Sequence, residues 1–410
     1  MGPLGTDHSA LPAHDRRPTG PRGRGDRGGT APMTWTVPLT DVVVTDDDVA
    51  AVMDCYASGW LTMGPRTRAF EDAVAQFTGS THAVAVSSGT AALHLACRAA
   101  GIGPGDEVIV PTMTFLATAH APRYCGATPV LCDSASPTDM NLSVEDVSRR
   151  ITPRTKAVIA VHFCGYTADL APLRTLCDEN GLVLIEDMAQ AIGARYADGR
   201  PCGTGGDLAC VSFFSKKQLS VGEGGAVLTG SSGAADIVRS LRSHAMTSGT
   251  WDRHRGHEDS YDIVDLGYNY RLDEPRAALG LARIPRLAAE IDARRAAVLR
   301  YRERLGFSER LTLLWDDEAV SRSSHFAFPV LTDTHELRVH LRRSLAEAGI
   351  QTTRYPALHV LEEYAGQTDA SLSVAEATAD RHLCLPLWAG IDDDTVDRVC
   401  ERVLHDVREA

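Results

Sequence analysis

The chain has 410 residues, 44% of them hydrophobic and 6% aromatic, with a formal net charge of −13. That length suits one large domain and a smaller one, since single cores rarely grow beyond roughly 250 to 300 residues. No apolar run approaches the roughly 18 residues that a membrane helix needs, and the acidic balance argues against a nucleic-acid partner, so the expectation is a soluble, cytoplasmic protein acting on a small molecule.

Residues 1–32 are rich in Gly, Pro and Arg, and the pair Arg16-Arg17 is followed by no apolar stretch. This reads as a disordered tail rather than a secretory or twin-arginine signal. From about residue 46 the pattern alternates between helical and extended periods. Val49, Val52, Met53 and Tyr56 share one helical face, as do Phe70, Val74 and Phe77. Short β-branched runs follow at 84–88, 107–110, 128–133, 155–163, 182–187, 209–214 and 226–229, with helix-length segments such as 90–100 and 168–180 between them. Strand, helix, strand at this spacing predicts an α/β fold with a mostly parallel central sheet flanked by helices, and the nearly continuous apolar strands fit burial on both faces. After Arg271 comes a long Ala/Arg/Leu-rich helical stretch to about Leu305, interrupted at Pro285. A smaller α+β unit follows, with a strand at 325–332, a helix at 335–348 and a C-terminal helix at 393–408. The expected division is a large domain over 33–280 and a small C-terminal domain over 281–410.

Ten cysteines stand singly, with no C-x-x-C pair, so neither a zinc ribbon nor a disulfide framework is indicated. Lysine is the informative residue. Only Lys156, Lys216 and Lys217 occur among 41 basic residues. Arg is a permanent cation, whereas a lysine amine can lose its proton and attack a carbonyl. Scarcity alone also fits a GC-rich coding bias, but two of the three lysines sit together beside the glycine-rich turn Gly222 to Gly225.

In open α/β sheets ligands gather at the carboxyl ends of the strands. Three such ends stand out. At Ser87-Ser88-Gly89-Thr90-Ala91 a strand turns into a helix through small residues, which suits either a phosphate cup or a plain helix cap. Leu184-Ile185-Glu186-Asp187 ends in carboxylates able to cap a helix, bind a metal or pair with a protonated heterocycle nitrogen. Ser212-Phe213-Phe214-Ser215-Lys216-Lys217 brings the amines. Together these supply what pyridoxal phosphate needs: an anion cup, an acid for the ring nitrogen and an amine for the aldehyde.

The order and spacing of these pieces resemble the sugar aminotransferase family called DegT/DnrJ/EryC1/StrS, a branch of fold-type I pyridoxal-phosphate enzymes. The resemblance runs from VPLTDVVVTDDDVAAVMDCYASGWLTMGP through SSGTAALHLA, PTMTFLATAHAPRYCGATPVLCD, AVHFCGYTADL, IEDMAQAIGA, SFFSKKQLSVGEGGAVLTG and LGYNYRLDEPRAALG to LPLWAGID. It implies transfer of an amino group from glutamate or glutamine to a nucleotide-linked keto sugar, or to a keto-cyclitol. It also implies a Schiff base on Lys217, with Lys216 the alternative one residue away. Phosphate binding falls to Gly89, Thr90, Ala91 and Ser212, ring stacking to Phe115, the pyridine nitrogen to Asp187 and the ring hydroxyl region to Gln190. Asn269 of G-Y-N-Y-R is implied to reach the phosphate of the other subunit, making a homodimer with shared sites. A dehydratase of the same family would carry histidine in place of Lys217. The segment Thr250 to His257 has no match of comparable strength. Its His254 and His257, with His244, lack a carboxylate or cysteine at metal-ligand spacing, so no metal is expected; Arg253 and Arg255 are assigned to a diphosphate or donor carboxylate, and His359 to a substrate hydroxyl.

Overall fold

The computed structural model describes residues 35–247, 261–366 and 372–410. Strands β1 (His82–Val86), β2 (Glu107–Pro111), β3 (Thr128–Cys132), β6 (Thr155–Val161), β7 (Val183–Asp187), β8 (Leu208–Ser212) and β9 (Gly225–Thr229) form a seven-stranded sheet in the order β1-β9-β8-β7-β6-β2-β3. Every pairing from β8 across to β3 is parallel, while β9 runs antiparallel to both β8 and β1. Between β3 and β6 the chain makes a small ladder of β4 (Ser134–Ser136) and β5 (Asp139–Leu142).

Helices cover both faces, which is why the strands read as unbroken apolar runs. Successive strand residues feed opposite cores, as the two-residue pleat requires. Val158 and Leu184 join one core with Phe70 and Val74, while Ile159 and Ile185 join the other with Leu95 and Val238. The first core is roofed by α2 (Pro65–Thr78) and α6 (Leu170–Asn180), the second by α3 (Gly89–Ala99) and α7 (Ser232–Leu241). Helix α4 (Ala117–Tyr124) follows β2 and packs against α3, and α5 (Val144–Arg150) lies beside β3.

The helix α1 (Asp46–Ala57) forms where its periodicity predicts, capped by Thr45 through reciprocal bonds with Asp48. Its apolar face is not a core face. Val49, Met53 and Tyr56 are exposed, and what the helix buries is Asp48, held by both terminal nitrogens of Arg286, and Cys55.

The predicted break at Pro285 is present: α8 (Glu274–Arg283) passes through a 3-10 turn at Ile284–Arg286 into α9 (Leu287–Leu305). A three-stranded antiparallel sheet, β10 (Leu311–Leu313), β11 (Phe328–Thr332) and β12 (His382–Leu385), then packs with α9, α11 (His335–Glu347) and α13 (Asp393–Glu409), the last through Val396, Val399, Val403 and Val407. Short helices α10 (Asp317–Arg322) and α12 (Ser373–Arg381) complete this part. The strand expected at 325–332 begins only at Phe328, because His325 takes a φ of 53° and the residues around it bond to Cys164 and Gly165 instead of a neighbouring strand. No described helix is long and apolar enough to cross a membrane.

Candidate active site

Three strand ends of the large sheet meet in one cleft. The turn after β1 starts α3, with Ser88 as its cap: the Ser88 hydroxyl accepts from the Ala91 amide at 3.0 Å. The Ala91 amide, expected to face a phosphate, is thus already engaged, and the amides of Gly89 and Thr90 are the ones without a protein partner among the described residues. Two glycines make this turn possible. A Cβ on Gly89 would sit 2.8 Å from the Ser212 Cβ and 3.1 Å from its hydroxyl, and a Cβ on Gly225 would sit 2.5 Å from the Ser88 carbonyl. Ser212, at the end of β8, therefore lies against the first residue of α3. A helix N-terminus with two open amides and a hydroxyl beside it is an anion cradle.

On the cleft floor Asp187 ends β7, 6% exposed. One carboxylate oxygen accepts from the Thr118 hydroxyl at 2.7 Å and the other from the Ala189 amide at 3.1 Å, and Thr118 is itself 2.7 Å from the Thr114 hydroxyl. Each oxygen keeps a lone pair for a further donor. Gln190 is buried beside it, its side-chain oxygen accepting from the Cys164 amide at 2.7 Å, which leaves its NH2 group to be engaged elsewhere.

The two adjacent lysines part company. Lys216 is exposed, whereas the Lys217 head group turns inward and lies 4.3 Å from the centre of the Phe326 ring. Burial pushes the Lys217 ammonium down to about 8, against the opposing pull of the Asp187 charge and of Cys164. Gln218, the next residue, donates to the Gln190 carbonyl at 2.7 Å and to the Ser324 hydroxyl at 2.8 Å, which ties the lysine loop to the residues following Asp187.

The model of the DegT/DnrJ/EryC1/StrS aminotransferase family matches residues 43–404. The chain belongs to that family. It is 38% identical over 375 residues to a UDP-N-acetyl-3-dehydro-alpha-D-glucosamine 3-aminotransferase of Acidithiobacillus ferrooxidans, covering 90% of this chain and 95% of that one. It is 36% identical over 356 residues to a GDP-perosamine synthase of Caulobacter vibrioides, covering 85% and 92%. Among solved structures, Spr1654 of Streptococcus pneumoniae in its PLP form superposes with a TM-score of 0.82 at 26% identity, over 92% of this chain and 98% of that one. The protein is accordingly an α/β enzyme of the aminotransferase class.

For a member of this family, the rest of the cleft shows residues that sequence reading passed over. Thr114 and Thr118 stand one helical turn apart in PTMTFLAT, a spacing that places both hydroxyls on one side, and this was the available signal for a partner to Asp187. Behind Asp187, Glu186 points to the opposite side of the sheet and accepts from His162 Nε2 at 2.8 Å, from the Gly205 amide at 2.9 Å and from the Tyr196 hydroxyl. The Ala168 amide donates to His162 Nδ1 at 3.1 Å, which fixes the proton on Nε2. Burial works to raise the Glu186 carboxyl, but these donors outweigh it and hold the group below its usual range. Cys202 lies within reach of His162 and Glu186, with its thiol pushed well up by burial; the three form a closed structural cluster whose carboxylate is already satisfied.

At the rim, Phe115 precedes α4 and is 63% exposed. His359, on the 3-10 turn Leu358–Val360, reaches the end of β2, with Nδ1 2.8 Å from the Thr112 hydroxyl and Nε2 buried without a partner among the described residues; burial draws its ring toward the neutral form. Asn269 lies elsewhere. It is exposed, pairs through its backbone with Ser243 and makes no side-chain bond to the cleft among the described residues. Arg253, Arg255, His254 and His257 lie outside the described residues.

Proposed function

We propose that this aminotransferase carries an amino group from glutamate or glutamine to the ketone of a nucleotide-linked sugar, using pyridoxal phosphate held in the cleft between Gly89, Asp187 and Lys217. The observation that carries the reading is the pairing of a desolvated Lys217 amine with a buried Asp187 carboxylate beneath an anion cradle. The residues fit the cofactor: the cradle exists only because Gly89 and Gly225 lack a Cβ, and Asp187 retains lone pairs for an N–H donor. The names of the two relatives, both acting on nucleotide-linked sugars, favour a sugar over a cyclitol.

When bound, pyridoxal phosphate supplies a ring that takes up the electron pair left when a proton leaves the carbon bearing the transferred nitrogen. The Gly89 and Thr90 amides and the Ser212 hydroxyl bind the phosphate; Ala91 joins them only by releasing Ser88. Asp187 holds a proton on the ring nitrogen, and Thr118 keeps that carboxylate in place. Gln190 offers its NH2 group near the ring hydroxyl, and Phe115 covers the ring. Lys217, with an ammonium near pH 8, would be neutral often enough around pH 7 to 8 to hold the cofactor through its aldehyde and to serve as the base that moves a proton at the substrate carbon. His359 faces a substrate hydroxyl with its unpartnered Nε2. Residues 33–280 are assigned to cofactor binding and 281–410 to the smaller domain, in a cytoplasmic enzyme.

The same reading makes the enzyme a homodimer with shared sites. Val49, Met53 and Tyr56 form an exposed apolar face on α1, and Ile263, Val264 and Leu266, all exposed, lead up to Asn269. Apolar patches of this kind on a folded chain mark an interface, and Asn269 needs a second copy to meet a phosphate.

The test is direct. Purified protein with pyridoxal phosphate should show the visible absorbance of a lysine-bound cofactor, lost in Lys217→Ala and kept in Lys216→Ala, and should pass nitrogen label from glutamate to a nucleotide-linked keto sugar. Loss in Lys216→Ala instead moves the assignment by one residue, and water release without label transfer points to a dehydratase.

A further inference from the structure

Among the described residues no hydrogen bond reaches the Lys217 amine. What it meets is an aromatic face: the Phe326 ring centre lies 4.3 Å away, well inside the roughly 6 Å over which a cation is drawn to a ring quadrupole. The ring is not there by chance packing. The Phe326 amide donates to the Cys164 carbonyl at 3.0 Å, the Ser324 amide to Gly165 at 3.1 Å and the Ser323 hydroxyl to Gly165 at 2.9 Å. Ser324 also bonds the Gln190 carbonyl at 3.2 Å and receives Gln218 at 2.8 Å. Both ends of this junction bend out of ordinary conformations, Cys164 at φ 57° and His325 at φ 53°, and a Cβ on Gly165 would lie 2.8 Å from the His325 amide. Backbone strain is thus kept at the junction that brings residue 326 to residue 217, where the surrounding bonds hold it.

We propose that Phe326 is a positioning residue for Lys217: its ring face seats the amine head group in the cleft and favours the charged form over the neutral one. The function of this seat rests on Lys217 being the cofactor lysine, but the interaction itself does not. Other groups face the amine. Asp187 from β7 favours the charge and burial opposes it, Cys164 lies beside it, and Asp41, Arg283, Glu290 and Arg294 line a small cavity on its other side. All of these stay unchanged in a substitution confined to residue 326. Leucine at that place keeps the site dry while removing the negative ring face, so the amine should lose its proton more readily; tyrosine keeps the face.

The chain's composition makes the measurement clean. With only Lys156, Lys216 and Lys217 present, acetylation of the cofactor-free protein by acetic anhydride can be followed at each lysine by mass spectrometry as pH is varied. In Phe326→Leu the pH midpoint for Lys217 should fall by about half to one and a half units, with Phe326→Tyr staying at the native value and the other two lysines unmoved. As a shape-preserving control, stepwise fluorination of the phenylalanine at 326 should lower the midpoint progressively, and it guards against a leucine variant that fails to fold. A midpoint that is unchanged or raised across the leucine and fluorinated series overturns the proposal. Because no cofactor is present, these outcomes are independent of the absorbance test for the catalytic lysine.

Discussion

On the floor of the cleft Asp187 is 6% exposed with both carboxylate oxygens bonded, whereas Phe115 at the rim is 63% exposed and Asn269, away from the cleft, is tied among the described residues through its backbone alone. The floor is finished within one chain: Thr118 donates to Asp187 at the end of β7, Gln190 accepts from Cys164 after β6, and Ser324, before β11, donates to the Gln190 carbonyl. The exposed surface is not: Val49, Met53 and Tyr56 on α1 and Ile263, Val264 and Leu266 before Asn269 stand open to solvent. The difference fits the proposed homodimer, in which one copy holds the acid and the amine in place and a second closes the site over a substrate.

The floor is the place to expect the largest effect. On the proposed reading Asp187→Asn would remove the anion meant to keep a proton on the cofactor's ring nitrogen, and turnover should fall by at least about a hundredfold, the scale set by deleting a preorganised charge partner. Thr118→Val removes one hydrogen bond to that anion and should cost only about tenfold, the low end of the roughly 1.5 to 3 kcal/mol that a bond to a charged group contributes, because the Ala189 amide still holds the other oxygen. Steady-state kinetics on both variants tests the order; equal effects would mean that Thr118 is more than an orienting partner.

A partial recovery, smaller than the losses on the floor, is expected on the exposed side, where the comparison itself is at stake. Asn269→Ala and Lys217→Ala chains, each nearly inactive alone, should regain part of the activity when mixed and allowed to exchange subunits. Met53→Asp, which puts a charge into the apolar face of α1, should shift the protein toward monomer in light scattering. If neither complementation nor a change of mass is found, the rim is complete without a partner and the contrast fails.

The smallest effect concerns the stability cost of the lysine. The Lys217 amine is held near pH 8 in the folded chain against a reference of 10.5, so between those values the unfolded chain carries the extra proton. Stability from this group therefore rises as pH increases from about 8 to 10.5, and below 8 the buried charge is a constant penalty. Cofactor-free Lys217→Met should melt at a higher temperature than the native protein below pH 8, with the gap closing toward pH 10.5. Thermal scans across that range would show a flat difference if the amine were hydrated.

Much of this was legible in the residues. The strands of the large sheet announced themselves because burial on both faces leaves unbroken apolar runs, and Pro285 announced the break before α9 because it has no amide to donate. Periodicity told that Val49, Met53 and Tyr56 form one face of α1 but not what covers it, since the same stripe suits a core or an interface. The reversal of β9 left no mark, because strand direction is not written in side-chain pattern. Ser88 capturing the Ala91 amide is a contest between a cap and a ligand that only geometry decides. Phe326 was invisible as a partner of Lys217 because 109 positions along the chain and a left-handed turn at His325 separate the two, and neither is encoded by local spacing.

The reversed strand has a further consequence, for the order in which the molecule is made. β1 leads directly into the anion cradle, yet within the sheet it is bonded only to β9, so its partner emerges from the ribosome more than a hundred residues later. The cradle is among the first parts of the site to be synthesised and among the last to be seated. In the interval β1 is an apolar strand with no neighbour, the kind of segment that joins the wrong chain when its own is late. Substitutions at Gly225, which must let β9 pass beneath Ser88, should therefore show up first as lost yield of folded protein, before any enzyme exists to assay.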